Sequence, residues 1–266
     1  MFTYIYNEYN QKPAWVLEGT GKDRNKFVCD IEYDVAPYLN LPETLDVFYK
    51  MHKPKFWYNI NRAEKIFELE NGPLSFSIVS DNELLLKYLP QIQELFAKRW
   101  KESFIFFDWK TRKGFQKYQD AMLDLAVRGC GEIAILTCNG TLLTFAYSLM
   151  YNKRYYFFEH AVTREEHYKK YSLGKILIKK LIERCIERKF EIFDFMTGGT
   201  PYKKEWAKSE KIVYMRVSEA KTLYGVLQYG CKIVFCYARR AWHQWRNKDR
   251  VLFMICKLRD TTVDRW

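Results

Sequence analysis

The sequence predicts an α/β chain whose sheet is mixed, mostly antiparallel and flanked by helices. Three observations predict it. Glu132–Cys138, Leu142–Tyr151 and Tyr155–Val162 are strand-length runs of apolar and aromatic residues. Asn139-Gly140 and Asn152-Lys153-Arg154 separate them, so they read as an antiparallel meander whose first turn is a type I′ Asn-Gly hairpin. After the last of these runs come a polar connection (Thr163–Tyr171), a helix and a short apolar run (Glu191–Met196). That order and spacing is a βαβ unit with parallel strands and a right-handed crossover. Finally, two amphipathic helices, Glu83–Trp100 and Gly114–Val127, precede the meander.

Each element has its own warrant. Phe2–Asn10 alternates loosely and reads as a short strand or an unattached arm, Gly19–Asn25 as a polar loop and Cys29–Tyr33 as a strand. Thr44–Asn61 reads as one helix, with Leu45, Phe48, Tyr49 and His52 at helical spacing. Asn71-Gly72-Pro73 is the cleanest boundary of the first half. Leu74–Val79 alternates with period two, as a strand does. The following helix carries Leu84, Leu85, Leu89, Ile92, Leu95 and Phe96 as its apolar stripe. Phe104–Phe107 is an aromatic cluster in a loop, suited to core packing or to stacking on a sugar. The crossover helix buries Leu177, Ile178, Leu181, Ile182, Cys185 and Ile186 and turns Lys175, Lys179, Lys180, Glu183, Arg184, Glu187 and Arg188 outward. Lys211–Val217 is the last strand.

Composition narrows the class. The chain has 266 residues and a net charge of +12. Its seven cysteines are scattered without CxxC spacing, and none of its four histidines is paired at ligand spacing. This fits reduced thiols in the cytoplasm and argues against a disulfide framework or a metal site. The opening MFTYIYNEYNQKP has neither a basic n-region nor an apolar core, so no secretory leader is expected there. From Lys221 onward ten Lys and Arg stand against three Asp. Leu223–Ala238 is mostly apolar but shorter than the ~20 residues of a membrane span, which leaves a packed helix or one lying at a membrane surface. The following ARRAWHQWRNKDR mixes Arg with Trp242 and Trp245, suited to an anionic interface or to a solvated basic face.

Chemistry concentrates in the first turn of the crossover helix. Ser172 is a good N-cap residue, and Gly174 lets a ligand approach the backbone closely. Amide groups and the positive end of the helix dipole suit a phosphate there, with Lys169 and Lys170 just upstream. The run Lys169-Lys170-Tyr171-Ser172-Leu173-Gly174 resembles the pyrophosphate loop of the GNAT acyltransferases, Gln/Arg-x-x-Gly-x-Gly/Ala. Lys169 stands at the Gln/Arg position, Ser172 at the first Gly and Gly174 at the last small residue. The flanks extend the match through Phe193-Asp194-Phe195, Gly198-Gly199 and Pro201-Tyr202-Lys203 to Trp206. This string is similar to the GNAT branch linked to bacterial cellulose and exopolysaccharide biosynthesis, where a Tyr-Ser-Pro-Gly loop precedes a Phe-Asp-Phe strand and a Pro-Tyr-Lys turn. Leu173 replaces the usual Pro. That branch is related in fold to the Fem-type aminoacyl transferases.

The resemblance implies a GNAT-like acyltransferase domain over 72–218, behind a truncated or remodelled N-terminal lobe and linker helix (1–71) and ahead of a basic helical tail (219–266). It implies direct, CoA-dependent acyl transfer from acetyl-CoA, without a metal, to N or O of a sugar or lipid-linked cell-surface precursor. The protein would then work in the cytoplasm, at the inner face of the membrane if the tail binds lipid. The donor would lie on Val162, Lys169, Lys170, Ser172, Leu173, Gly174 and Lys175. Two other readings stand beside it: a degenerate module serving as a scaffold of polysaccharide assembly, and a Fem-like transferase using aminoacyl-tRNA, in which nucleic acid becomes a partner.

Catalysis of this kind needs a base to free the acceptor and an acid to protonate the departing thiolate. Glu159 and His160 are the candidate bases, adjacent on a strand and hence on opposite faces. Asp194 is a carboxylate inside an apolar strand, costly to bury unless partnered; it is either catalytic or the anchor of the Gly198-Gly199 turn. Tyr202 matches the Tyr of Pro-Tyr-Lys, where many GNAT enzymes place a thiolate-protonating tyrosine; the alternative is a packed ring with a wet hydroxyl.

Overall fold

The computed structural model describes residues 2–6, 26–79, 82–100 and 112–220, with positions 227, 230, 231, 234, 235 and 238 beyond them. The expectations for Gly19–Asn25, Phe104–Phe107, Trp242 and Trp245 lie outside the described residues. The chain forms two compact units, one of residues 38–196 and 202–209, the other of 1–37, 197–201 and 210–266.

The first unit holds the meander and the crossover. Its elements are the end of strand β2 (Lys26–Asn40), helices α1 (Leu45–Lys50) and α2 (Pro54–Asn71), strand β3 (Leu74–Val79), helices α3 (Asn82–Trp100) and α4 (Arg112–Val127), strands β4 (Gly131–Cys138), β5 (Thr141–Tyr151) and β6 (Arg154–Val162), helix α5 (Leu173–Glu187), strand β7 (Ile192–Asp194) and helix α6 (Pro201–Trp206). The strands lie in the order β2-β7-β6-β5-β4-β3. β6 and β7 are parallel, and the other neighbouring pairs in this row are antiparallel. Asn139 and Gly140 both have positive φ (49° and 79°), as the expected I′ turn requires. Asn152 and Lys153 do likewise at the next hairpin (46° and 56°).

The expected helix over Thr44–Asn61 is two helices. Thr44 Oγ1 accepts the Val47 N–H and starts α1. Pro54 then opens α2, where its missing N–H and fixed φ are harmless at N1 but would break a helix interior. The apolar spacing continues across the break and so hides it. The final strand run is also shorter than Glu191–Met196, because its pairing with β2 and β6 ends at Asp194.

The sheet is covered on both faces. One face packs α2 and α5 with Phe157, Phe193, Phe195 and Trp206. All six predicted stripe residues of α5 are buried, with Leu173 and Ile176 beside them. The other face packs Leu89, Ile92, Leu95 and Phe96 of α3 with Met122 of α4, Phe145 and Tyr147. The side chains of Leu84 and Leu85 lie outside the described residues. α2 is tied to α5 by polar contacts as well: Lys180 pairs with Glu64 (2.7 Å) and Lys179 donates to Asn61 (2.8 Å).

In the second unit, strand β1 (Phe2–Tyr6) pairs antiparallel with strand β8 (Ser209–Ala220), Phe2 opposite Val217. β8 lies beside β2, and the Gly198 N–H donates to Val35 O (2.9 Å). The described positions between 223 and 238 are helical, with Leu227, Val234 and Phe235 exposed. Among the described residues no helix is long and apolar enough to cross a membrane.

Candidate active site

Two irregularities in β6 create the site. Parallel pairing joins Arg154–Tyr156 to Ile192–Asp194 and stops there, whereas β6 continues to Val162 on its pairing with β5. The second half of β6 therefore runs beyond its β7 partner. Within that half the β5–β6 register shifts: Ser148 faces Phe157 and Tyr147 faces Glu159, leaving Phe158 as the extra residue of a bulge. The bulge keeps Phe157 and His160 on one face, their rings stacked at 4.7 Å. It sends Phe158 and Glu159 to the other, where Phe158 meets the Tyr147 ring and Glu159 meets Arg99 of α3.

A cavity of about 280 Å³ opens at this point, lined by Arg99, His160–Arg164 and Lys169. Arg164 donates to the Arg99 backbone carbonyl (2.9 Å), which ties the end of α3 to the loop after β6. Arg99 stands 3.7 Å from the Glu159 carboxylate. Burial raises the Glu159 pKa to about 7, against the opposing pull of Arg99 and Lys203. On the other face, burial first, and then Arg99 and Lys203, hold the His160 pKa well below its usual 6.5, so the ring is neutral. Its Nε2 lies 3.3 Å from the Tyr202 hydroxyl. Tyr202 is carried by α6, whose Trp206 is fully buried against His52, Phe56 and Trp57. Lys203, also buried, donates to Met196 O (3.4 Å).

The turn into α5 reaches the cavity through Lys169. A 3₁₀ turn over Glu166–Tyr171 leads to Ser172, which occupies the N-cap position in the left-handed region (φ 53°, ψ 38°). Its side chain makes no capping bond there, unlike the expected N-cap serine. That conformation costs an L-residue about 1 kcal/mol and suits glycine. At Gly174 an added Cβ would meet Val162 Cγ2 at 3.2 Å, so the helix start is pressed against the end of β6. The turn is held from α2: the Glu70 carboxylate accepts from Lys170 and from the Tyr171 hydroxyl, each at 2.5 Å. Asn71 donates to the same Tyr171 oxygen (3.0 Å), and its own carbonyl accepts from Cys138 and Asn139.

Residues 54–204 match the family model described as an acetyltransferase (GNAT) domain. The chain belongs to the GNAT acetyltransferase family. No curated protein gives a sequence match. Among solved structures, a domain assigned to a lysylphosphatidylglycerol synthetase of Agrobacterium fabrum is 12% identical with a TM-score of 0.50, covering 71% of this chain and 61% of that one. FemX is 10% identical with a TM-score of 0.48, over 70% of this chain and 62% of its own. The PaiA N-acetyltransferase of Thermoplasma acidophilum, solved with coenzyme A, is 13% identical with a TM-score of 0.38, over 53% and 98%. The chain thus spans about three fifths of the length of the first two.

For this GNAT chain the structure brings His160 and Tyr202 together at one end of β6, with Glu159 on the opposite face of that strand, and places His160, Val162 and Lys169 on the cavity wall, where Lys169 is paired with Glu166 (2.5 Å). It turns other expected residues elsewhere. Lys170 pairs with Glu70 and Lys175 with Glu205 (2.5 Å each), and the Leu173 side chain is in the core, so only its backbone faces the turn. Asp194 is fully buried on β7 opposite Tyr156, four residues back along β6 from His160. Its Oδ1 accepts the Met196 N–H (2.8 Å), where Met196 has a positive φ of 59°. That is the geometry of an anchor for the chain leaving the strand. Nothing in the sequence singles out Arg99, Arg164 and Lys203, because only the packing of α3, the loop after β6 and α6 assembles them. Among the described residues no group of three or more His, Cys, Asp or Glu could hold a metal ion.

Proposed function

We propose that this GNAT protein transfers an acetyl group from acetyl-CoA to an amine or hydroxyl. The observation that carries the reading is the turn from Lys169 to Gly174 beside the half of β6 that has outrun β7, with cations along the wall between them. These residues fit the donor. The amides at the start of α5 and Lys169 suit its pyrophosphate, Gly174 lets the start of α5 lie close against Val162 of β6, and the edge of β6 beyond its β7 partner offers backbone groups to an extended amide arm. The bound donor supplies the acyl thioester. Glu159, with a pKa near the working pH, accepts the proton of the attacking amine or hydroxyl. On the opposite side Tyr202 donates its hydroxyl proton to the departing sulfur, and neutral His160 orients that hydroxyl through Nε2.

For the acceptor we favour a sugar or lipid-linked cell-surface precursor, supported by the ordered string from Tyr171 to Trp206. The 221–266 tail would bring the site to an anionic membrane. Its charge supports this, as do Leu227, Val234 and Phe235, apolar and exposed at helical spacing. Isothermal titration with CoA tests the donor. Wild type is expected to bind and Gly174→Glu to lose binding; equal binding by both would remove the turn from the site. The second reading, an aminoacyl-tRNA donor, draws on the net charge of +12. A protein that binds tRNA tightly and CoA not at all would favour it.

A further inference from the structure

We infer that the outward face of α2 is a docking surface for an anionic lipid bilayer. The inference goes beyond the proposed reaction and does not depend on the tail, since α2 belongs to the unit that holds the candidate site. Over its 18 residues α2 turns Trp57, Ile60 and Phe67 into the core. Away from them Lys55, Tyr58, Arg62, Lys65 and Leu69 are all exposed. At 3.6 residues per turn these five fall within about 80° of one another, and they extend over about 21 Å of helix. They form one straight stripe.

Charge is sorted around this helix. Among the described residues Lys55, Arg62 and Lys65 make no ion pair, and neither do exposed Lys50 and Lys53 just ahead of the stripe. The three glutamates of α2 stand elsewhere. Glu64 is turned toward α5, where it pairs with Lys180 (2.7 Å) and Lys179 (3.8 Å). Glu70 pairs with Lys170 (2.5 Å), and Glu68 lies about 100° around the helix from the middle of the stripe. The helix thus keeps two of its carboxylates for the fold and gives its cations to solvent.

Of the anionic partners that suit such a stripe, a bilayer is favoured by the apolar members. Leu69 is 77% exposed and Tyr58 61%. A nucleic acid would take the cations and stack a base on Tyr58, but it has nothing to offer Leu69. At a bilayer the cations meet headgroup phosphates, the Tyr58 ring sits at headgroup level and Leu69 reaches the acyl boundary. The stripe also ends beside the candidate site. Glu70, the residue after Leu69, accepts from the Tyr171 hydroxyl at the turn into α5, so a bilayer lying along α2 brings headgroups close to that turn.

The test is cosedimentation of the full-length protein with vesicles of phosphatidylcholine, alone or mixed with phosphatidylglycerol. Wild type is expected to pellet with the anionic vesicles and to stay in solution with the neutral ones. Each Lys or Arg near an anionic surface strengthens binding roughly fivefold, so Lys55→Gln, Arg62→Gln and Lys65→Gln together are expected to weaken it on the order of a hundredfold. Leu69→Ser alone is expected to weaken it about fivefold. A control triple, Lys98→Gln, Arg128→Gln and Lys153→Gln, loses the same charge from exposed cations already paired with Glu94, Asp124 and Glu191. It is expected to bind almost as wild type does, and thermal melts check that both triples are folded. An equal loss in the control, no loss in the stripe triple, or no binding of wild type to anionic vesicles overturns the proposal. So does a stripe triple that loses binding to single-stranded RNA while keeping its hold on the vesicles, which makes the stripe a nucleic-acid face. Failure of CoA to bind strikes only at the acetyl-transfer reading and leaves the vesicle result as it is.

Discussion

Glu132 on β4 and Glu159 on β6 are carboxylates of the same sheet, both screened from water and both near arginines. Glu132 is 5% exposed and fully engaged: Arg188 donates at 3.0 Å, Arg184 at 3.2 Å and the Tyr155 hydroxyl at 2.9 Å. Tyr155 in turn has its pKa driven well above 10, by burial first and then by the Glu132 charge. Glu159 has one looser arginine, and burial dominates its proton equilibrium. The first carboxylate sits where β6 is paired with β7, the second where β6 has run past it. A carboxylate whose lone pairs are all claimed holds a fold; one left short of partners can move a proton.

The largest effect expected from breaking this contrast is on turnover. Glu159→Gln should lower kcat by on the order of 10²–10⁴ while leaving CoA affinity intact, as followed by thiol release from acetyl-CoA with a cell-extract acceptor pool. Glu132→Gln should do the reverse: a loss of about 2–4 kcal/mol in urea denaturation, with the folded fraction keeping its activity. If Glu132→Gln loses activity without stability, the division of labour between the two carboxylates is wrong.

The pH dependence sharpens the comparison further. As a base, Glu159 must be unprotonated, so kcat/KM should rise with pH up to about 7 and level beyond it. Arg99→Met should move that inflection upward, since the guanidinium opposes the raised pKa. Stability runs the other way. The folded-state pKa of Glu159 lies above its unfolded value, so wild type binds more protons when folded and loses stability as pH climbs from about 4.5 to about 7. Glu159→Gln lacks this loss and should be more stable than wild type at pH 8, by a margin that shrinks toward pH 4.5. Thermal melts at the two pH values would show it.

The smaller effects concern the two remaining candidates. Tyr202→Phe should lower kcat about tenfold, less than the base substitution, because water can replace the acid. Asp194→Asn should lower the melting temperature with specific activity per folded molecule preserved, since it accepts the Met196 N–H where the chain leaves the strand. A collapse of activity at unchanged melting temperature would return Asp194 to the chemistry.

Periodicity makes the meander and the crossover legible, because β4, β5, β6 and α5 are dominated by apolar and aromatic residues and set between clear turns. It fails where two rules share one pattern: the apolar spacing across Pro54 is as good for one helix as for two. The candidate site is half legible. Glu159 and His160 stand out by type, and Tyr202 by likeness to a family string. Their partners do not, since nothing local marks Arg99 at the end of α3 or Lys203 within α6. The bulge at Phe158 is also a property of pairing between strands, so no single run of residues shows it. Ser172 reads as a capping residue from its hydroxyl, whereas its backbone has the left-handed geometry that the glycine of the family pattern would supply.

The hold of Glu70 and Asn71 on Tyr171 bears on how the chain can be cut. Gly72 has a φ of 103° and reads as a seam, and a fragment begun there would keep every strand of the meander together with the crossover helix. It would also discard, by one and two residues, the amide of Asn71 and the carboxylate of Glu70, which hold the Tyr171 hydroxyl at the turn into α5. Trp57, Ile60 and Phe67 would leave with them, uncovering the outer side of α5. The smallest autonomous piece of this unit therefore starts no later than Pro54, and the apparent linker is the back wall of the turn into α5.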